Sequence, residues 1–83
     1  MRAFIDTNVI VDVVAKREPF FADSQAVLAL CATGDLEDAV QLEAARTNLV
    51  DVIITRNVRH FHNSSIRVCT PSEFLVEETE QSS

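Results

Sequence analysis

The first residues of the chain place polar side chains inside an apolar run. Asp6, Thr7 and Asn8 interrupt the stretch FIDTNVIVDVV, which covers residues 4–14. A charge in apolar surroundings is costly unless it is paired or bound to a cation. The three residues therefore either form an exposed turn between two buried elements, or Asp6 has a cationic partner.

Three short apolar runs predict the strands that would position this triplet. They are RAFI at 2–5, VDVIIT at 50–55 and IRVC at 66–69. The second run is nearly continuous in β-branched residues, as is typical of a strand buried on both faces. Asp6 follows the first strand directly, and Asn57 lies just beyond the second.

Helical spacing predicts two helices after the first strand. The first covers 9–14 and carries Asp12 on its outer face, because the apolar residues lie on the other side. The second covers 22–33 and ends at Gly34, which is a natural C-terminal cap. The apolar stripe of the first helix consists of Val9, Ile10, Val13 and Val14.

Capping signals predict two further helices. Asp35 is a good N-cap for a third helix over 36–47, which Asn48 can end in a left-handed conformation. The segment TPSE begins a fourth helix over 71–79, in which Thr70 and Glu73 form a capping box. The buried face of the third helix consists of Leu36, Ala39, Val40 and Ala44.

Strands separated by helices predict an α/β fold with a parallel sheet. We expect a short two-layer or three-layer fold with a three-stranded sheet, in which strand 2–5 pairs with strand 52–55. Residues 1–79 would form a single domain, and 80–83 a polar tail. Ligands of such sheets bind at the carboxyl ends of the strands. The polar triplet and Asn57 would lie at that edge.

The composition excludes several classes of protein. The 83 residues are 47% hydrophobic and 24% charged, which is typical of a globular domain. No apolar run approaches the length of about 20 residues that a membrane span needs, and we expect a cytoplasmic protein. The net charge of −6 argues against a simple nucleic-acid clamp. Cys31 and Cys69 are interpreted as small apolar side chains rather than a disulfide.

Two segments of the sequence resemble PIN-domain nucleases, the fold of many bacterial toxin–antitoxin ribonucleases. FIDTNVIVDVVAKREPFFADSQAVLAL resembles the first segment of the family, and DLEDAVQLEAARTNLVDVIITRNVRHFHNSSIRVCTPSEFL resembles the last. Together they cover nearly the whole chain. The middle segment of the family, which carries a second catalytic position, has only Gly34 in its place. The chain therefore looks like a truncated PIN domain.

The resemblance implies a set of catalytic residues. Asp6 matches the first catalytic acid, Asp38 the acid of the third motif, and Asn57 the last position. By resemblance these residues bind Mg²⁺ or Mn²⁺ and activate water for hydrolysis of RNA. Because the second position is lacking, we expect one weak metal site. Two carboxylates and an amide oxygen are suitable ligands for a hard cation.

Each of these residues also has a simpler interpretation. Asp6 could cap the first helix, Asp38 could stabilise the first turn of the third helix, and Asn57 could be a turn residue. Arg56 and Arg59 flank Asn57 and could contact RNA phosphates, although surface arginines are common. The histidines of HFHN, His60 and His62, are interpreted as solvated rather than metal-binding.

Three functions compete at this point. The first is a metal-dependent ribonuclease. The second is a non-catalytic PIN remnant that binds a protein, such as an antitoxin. The third is phosphoryl transfer at Asp6, which the sequence DTN supports poorly. We also expect a homodimer, because loss of the middle strands would leave strand 2–5 at the sheet edge. The sequence does not decide which chain of a dimer would supply Asp38.

Overall fold

The computed structural model describes residues 1–38 and 50–81. Over these ranges it contains strands, α-helices and one 3₁₀ helix, named here in chain order. They are β1 (Arg2–Ile5), α1 (Thr7–Val14), α2 (Phe21–Thr33), β2 (Glu37–Asp38), β3 (Val52–Ile54), the 3₁₀ helix (Val58–Phe61), β4 (Arg67–Cys69) and α3 (Pro71–Gln81). No helix in 1–38 or 50–81 is long and apolar enough to cross a membrane.

The strands form one parallel sheet in the order β2-β1-β3-β4. In the central pair, Ala3 lies opposite Val52 and Ile5 opposite Ile54. On the outer side of β3, Ile54 lies opposite Cys69. The α/β class, the parallel sheet and the pairing of the first two predicted strands are therefore confirmed. The sheet has four strands over the described residues, whereas the sequence predicted three.

The additional strand β2 corrects the predicted start of the third helix. Glu37 and Asp38 pair with Arg2 and Ala3 of β1 instead of forming a first helical turn. Asp35 does not begin a helix, and its carboxylate accepts a hydrogen bond from the Thr33 hydroxyl at 2.8 Å. The remainder of the predicted helix, with Ala39, Val40, Ala44 and Asn48, lies outside the described residues.

The pairing of β2 also changes the argument for a dimer. Strand β1 is internal, with β2 on one side and β3 on the other. The prediction that residues 2–5 form an open sheet edge is therefore wrong, because the segment after Gly34 covers part of that edge within the same chain.

Helix α1 buries a face that agrees only in part with the predicted one. Val9 and Asp12 are fully buried, whereas Ile10 is 37% and Val14 is 79% exposed. The prediction that Asp12 lies on the outer face is wrong. Asp12 is three residues after Val9, and positions three apart share one side of a helix. Its Oδ2 is paired with a cation from another part of the chain, described below, whereas its buried Oδ1 has no hydrogen-bond partner.

The caps of α2 and α3 agree with the sequence. Gly34 ends α2 in the left-handed region with φ of 86°, a conformation that suits glycine because it has no Cβ atom. At the start of α3, the Thr70 N–H donates to the Glu73 carboxylate at 2.8 Å, and the Glu73 N–H donates to the Thr70 hydroxyl at 3.1 Å. The predicted capping box is therefore present, and α3 extends to Gln81.

The apolar side chains form two clusters, one on each face of the sheet. The larger cluster joins the sheet to all three described α-helices, which contribute Val9, Val27 and Phe74. The smaller cluster contains Val50 and Ile53, with partly buried apolar side chains packed against it. Alternate residues of the strands supply the two faces, as the pleat of a strand requires.

Candidate functional site

The order of the strands defines where a ligand of this fold would bind. From β1 the chain passes to β2 on one side, and later to β3 on the other side. The connection from β1 to β2 and the connection from β3 to β4 therefore lead to opposite sides of the sheet, and they part between β1 and β3. In open parallel sheets a crevice forms outside the carboxyl ends of the strands at such a point. Asp6 follows β1 and Thr55 follows β3, so both residues lie at this crevice.

Asp6 occupies the N-cap position of α1, but its side chain makes no capping hydrogen bond. Its backbone N–H donates to the Ile54 carbonyl at 3.0 Å, which continues the pairing of β1 with β3. Its carboxylate Oδ2 accepts a hydrogen bond from the Thr55 hydroxyl at 2.8 Å. Capping therefore does not explain the carboxylate, which a side chain from the neighbouring strand end orients.

Asp38 ends β2 on the other side of β1. The residue is exposed overall, yet partial burial of its carboxyl group raises its pKa, and a hydrogen bond from the Ile5 backbone partly offsets this. The Asp38 charge also contributes to raising the pKa of the Cys31 thiol, after the larger effect of burial. Asp38 thus lies between β1 and the end of α2, where its negative charge is partly desolvated.

Asn57 lies in the segment between β3 and the 3₁₀ helix. Its backbone N–H donates to the Thr55 hydroxyl oxygen at 3.0 Å, so one hydroxyl connects Asn57 with Asp6. Its amide nitrogen is hydrogen-bonded to Nδ1 of the exposed His60 at 2.6 Å. The amide oxygen, which is the atom through which an asparagine binds a cation, takes no part in this hydrogen bond.

A cleft of about 620 Å³, here called the carboxylate cleft, contains all three predicted site residues. Asp6, Asp38 and Asn57 line it together, within one chain. Its other lining residues are Phe4, Ile5, Thr7, Ile10, His60 and Phe61. The structure therefore brings together the three residues on which the sequence prediction rests, including Asp38, which reaches the cleft from a strand and not from a helix.

The donors of the carboxylate cleft fit a hard divalent cation. Carboxylate and amide oxygens are the protein ligands that Mg²⁺ and Mn²⁺ prefer, with water molecules completing the coordination. Among residues 1–38 and 50–81 there is no group of three or more Asp, Glu, His or Cys side chains that could hold a metal ion. The described part of the cleft thus offers two carboxylates and one amide.

Arg56 and Arg59, the predicted RNA contacts, lie in different environments. Arg59 is exposed in the 3₁₀ helix and directly precedes His60, which lines the carboxylate cleft. Arg56 lies instead at a second cleft of about 350 Å³, together with Phe20 and Thr70. Its Nε donates to the buried carboxylate of Asp12 at 2.5 Å. Only Arg59 therefore has the setting of a free surface cation that the sequence analysis assumed for both.

Two residues of this region were missed by the sequence analysis, Thr55 and Asp12. Thr55 is fully buried and contacts both Asp6 and Asn57. It is the single hydroxyl at the end of the aliphatic run VIIT, which is a signal that could have found it. Asp12 is four residues after Asn8 on α1, and both side chains accept hydrogen bonds from Arg56.

Comparison with known proteins identifies no relative of this chain. No family model matches the chain, and neither the curated proteins nor the solved structures contain a match. The similarity to PIN domains therefore stays a prediction from the quoted segments.

Proposed function

We propose that the chain is a metal-dependent phosphodiesterase of the PIN type that acts on RNA. The observation that carries the proposal is the convergence of Asp6, Asp38 and Asn57 on one cleft. These residues come from three different parts of the chain, and the cleft lies where parallel sheets bind ligands. Binding of one Mg²⁺ or Mn²⁺ ion is part of this proposal.

The residues of the carboxylate cleft have separate tasks in this proposal. Asp6 and Asp38 supply the negative charge that binds the cation, and Asn57 supplies a neutral oxygen. A bound divalent cation lowers the pKa of a water ligand and neutralises charge on a phosphate group. The Thr55 hydroxyl holds Asp6 Oδ2 in a fixed direction, because a hydrogen bond between side chains restricts their rotamers.

The electrostatics of Asp38 support cation binding. Burial raises its pKa, which means that the unpaired carboxylate is less favourable here than in water. A cation at the cleft would offset this cost. Protons compete with the cation for the same group. As the pH is lowered, we therefore expect metal affinity to begin to fall at a higher pH than it would with a fully solvated aspartate.

Mn²⁺ binding tests the metal site directly. We expect weak binding by wild type, measured by electron paramagnetic resonance of free Mn²⁺, and at least about 10-fold weaker binding by Asp6→Asn and Asp38→Asn. Glu18→Gln is the matched control, since it removes one negative charge from an exposed loop residue. Wild-type affinity in Asp6→Asn would contradict the metal site.

Cleavage of single-stranded RNA tests the reaction. We expect slow, Mn²⁺-dependent cleavage, because two carboxylates offset little of the ion's dehydration. Asp6→Asn should abolish this cleavage. A variant that loses cleavage but binds Mn²⁺ like wild type would have its defect in RNA binding and not in the metal site. Metal binding by wild type without any cleavage would favour the second candidate below.

The second candidate is a non-catalytic module that binds a protein partner. The observation favouring it is the exposure of Ile10 and Val14, which lie four residues apart on one side of α1. Interaction sites contain contiguous apolar surface, and in this candidate the two side chains would belong to such a surface. An antitoxin-like protein or a second copy of the chain would be the partner. Light scattering of Val14→Lys and wild type over a range of concentrations tests the homodimer.

A cellular location is part of the proposal. We propose a cytoplasmic location, where both RNA and Mg²⁺ would be available to such an enzyme. The two described cysteines, Cys31 and Cys69, are free thiols, as is usual for proteins of a reducing compartment.

A further inference from the structure

Asp12 is a fully buried carboxylate outside the carboxylate cleft. Its Oδ2 accepts hydrogen bonds from Arg56 Nε at 2.5 Å and from the Ser24 hydroxyl at 3.4 Å. These contacts join α1 to α2 and to the segment that follows β3. A charge at this depth is strongly unfavourable without its partner, so the position of Arg56 is tied to that of Asp12.

Two further contacts hold Arg56. Its backbone N–H donates to Asn8 Oδ1 at 3.5 Å. Its guanidinium group lies over the Phe20 ring, with Cζ 4.2 Å from the ring centroid, and a guanidinium stacks favourably in this way. Its neighbours in the chain are Thr55 and Asn57, which line or orient the carboxylate cleft.

We infer that the ion pair of Asp12 and Arg56 is a positioning device for the carboxylate cleft, and that Arg56 is not an RNA phosphate contact. The inference rests on the proposed function. By fixing residue 56 against α1, the pair sets the path of the backbone on either side of it. The Thr55 hydroxyl then meets Asp6 and also accepts the Asn57 N–H.

The charge of Arg56 agrees with this role. Asp12 neutralises the guanidinium within a buried contact, and only 25% of the arginine side chain is exposed. Phosphate binding favours cations that have no such partner. Planar guanidinium donors also hold a carboxylate in a defined direction, which lysine does not do.

A purely stabilising role makes a different prediction. Replacing a buried ion pair by apolar side chains of similar volume is often neutral or stabilising. The double variant Asp12→Leu/Arg56→Met therefore separates stability from positioning. We expect a urea midpoint close to that of wild type. Mn²⁺ affinity should be about 10-fold lower, as when residues that orient metal ligands are replaced.

A metal-free measurement keeps this inference separate from the proposed function. Without metal, we expect faster amide hydrogen exchange at Asn57 in the double variant, because its N–H loses the fixed Thr55 acceptor. Exchange within β3, at Ile53, should remain as in wild type. If wild type binds no Mn²⁺, the proposed function fails, and exchange at Asn57 alone decides whether the pair positions the turn.

The controls cover folding and charge. Arg17→Gln removes one positive charge from an exposed loop side chain and should change neither measurement. Arg56→Lys keeps the charge without the planar donor, and serves if the double variant does not fold; we expect the same two changes. A folded variant in which either Mn²⁺ affinity or Asn57 exchange equals that of wild type overturns the inference.

RNA binding without metal provides the last test. A phosphate contact contributes to the dependence of affinity on salt concentration, whereas a positioning residue does not. We expect the slope of log affinity against log salt to be unchanged in Arg56→Lys and in the double variant. A slope reduced by about 1 in the double variant, as for the loss of one phosphate contact, would overturn the exclusion of Arg56 from RNA binding.

Discussion

Thr55 connects two residues of the carboxylate cleft through one hydroxyl group. The hydroxyl donates to Asp6 Oδ2 and accepts the Asn57 N–H, which uses both kinds of hydrogen bond that a hydroxyl can make. The residue is fully buried. A buried hydroxyl with both roles filled fixes its partners relative to each other, so the side chain determines the geometry of the cleft without lining it.

Thr55→Val should separate this hydroxyl from the packing of the side chain. The variant leaves the Asn57 N–H without its acceptor, and we expect a loss of about 2 kcal/mol in the free energy of unfolding. Mn²⁺ affinity should fall as well. Thr55→Ser keeps the hydroxyl, and should lose about 1 kcal/mol for the buried methyl group while binding Mn²⁺ like wild type. Urea denaturation and Mn²⁺ titration measure the two quantities.

The raised pKa of Asp38 predicts a dependence of stability on pH. The folded protein holds this proton more tightly than the unfolded chain, whose carboxyl pKa is about 3.8. Above the folded pKa the charged carboxylate opposes folding in full. That cost is relieved as the pH falls through the folded pKa towards the unfolded value.

Asp38→Asn removes this titration, and provides the measurement. We expect its free energy of unfolding to be at least that of wild type at pH 7, with the difference shrinking as the pH falls. Urea denaturation across pH 7 to pH 3 measures both. An advantage of Asp38→Asn that grows on acidification would contradict the stated direction of the shift.

The elements of the fold could be predicted from the sequence where local signals and burial agree. Gly34 and the pair of Thr70 and Glu73 define helix ends through groups that are close in the chain, and they lie as predicted. Strand β2 could not be predicted, because two acidic residues after Asp35 have the composition of a helix start. Pairing with β1, about 35 residues away, decides their conformation.

The environment of Asp12 could not be predicted for a related reason. Periodicity assigns charged residues to the solvent side of a helix, and the partner that permits burial lies 44 residues away. The convergence of Asp6, Asp38 and Asn57 depended in the same way on the sheet, since their separations along the chain carry no information about distance in space. Only the rule that parallel strands share one ligand-binding edge gave Asp6 and Asn57 a common location.

The capping box of α3 gives a prediction for this element. Thr70→Ala removes the acceptor of the Glu73 N–H, and we expect a loss of about 1 kcal/mol in the free energy of unfolding. Thr70→Ser keeps the hydroxyl and should be close to wild type. Thermal and urea denaturation followed by circular dichroism measure the change. Equal stability of Thr70→Ala and wild type would show that water replaces the cap.

For the whole molecule, the distribution of the core between the two sheet faces determines which residues are essential. The cluster on the helix side includes Ala3, Ile54 and Cys69 from three strands, and Phe74 from α3. Phe74 is the largest fully buried side chain of the described residues. It connects the last helix to the sheet, so the integrity of the domain depends on it.

Phe74→Ala should therefore destabilise the whole domain. Truncation of a buried phenylalanine costs about 3–5 kcal/mol, which is a large part of the 5–15 kcal/mol typical of a domain. We expect a largely unfolded or molten protein, detected by loss of the dispersion of amide resonances and by urea denaturation. Val76→Ala, on the same helix but 54% exposed, should differ from wild type by less than about 0.5 kcal/mol.

The internal position of β1 in the sheet has a consequence for how the chain folds. Its partner β3 lies about 50 residues further along the chain, so the central pairing closes a long loop and loses the corresponding conformational entropy. Helix α3 packs on a sheet that this pairing creates. We therefore expect Ile53→Val, in the centre of β3, to slow refolding, and Thr70→Ala to accelerate unfolding with little effect on refolding. Stopped-flow circular dichroism is the suitable probe, because the chain contains no tryptophan or tyrosine.

During synthesis, β1 would remain without its main partner until residue 54 has left the ribosome. The segment that pairs with it first is the two-residue strand ending in Asp38.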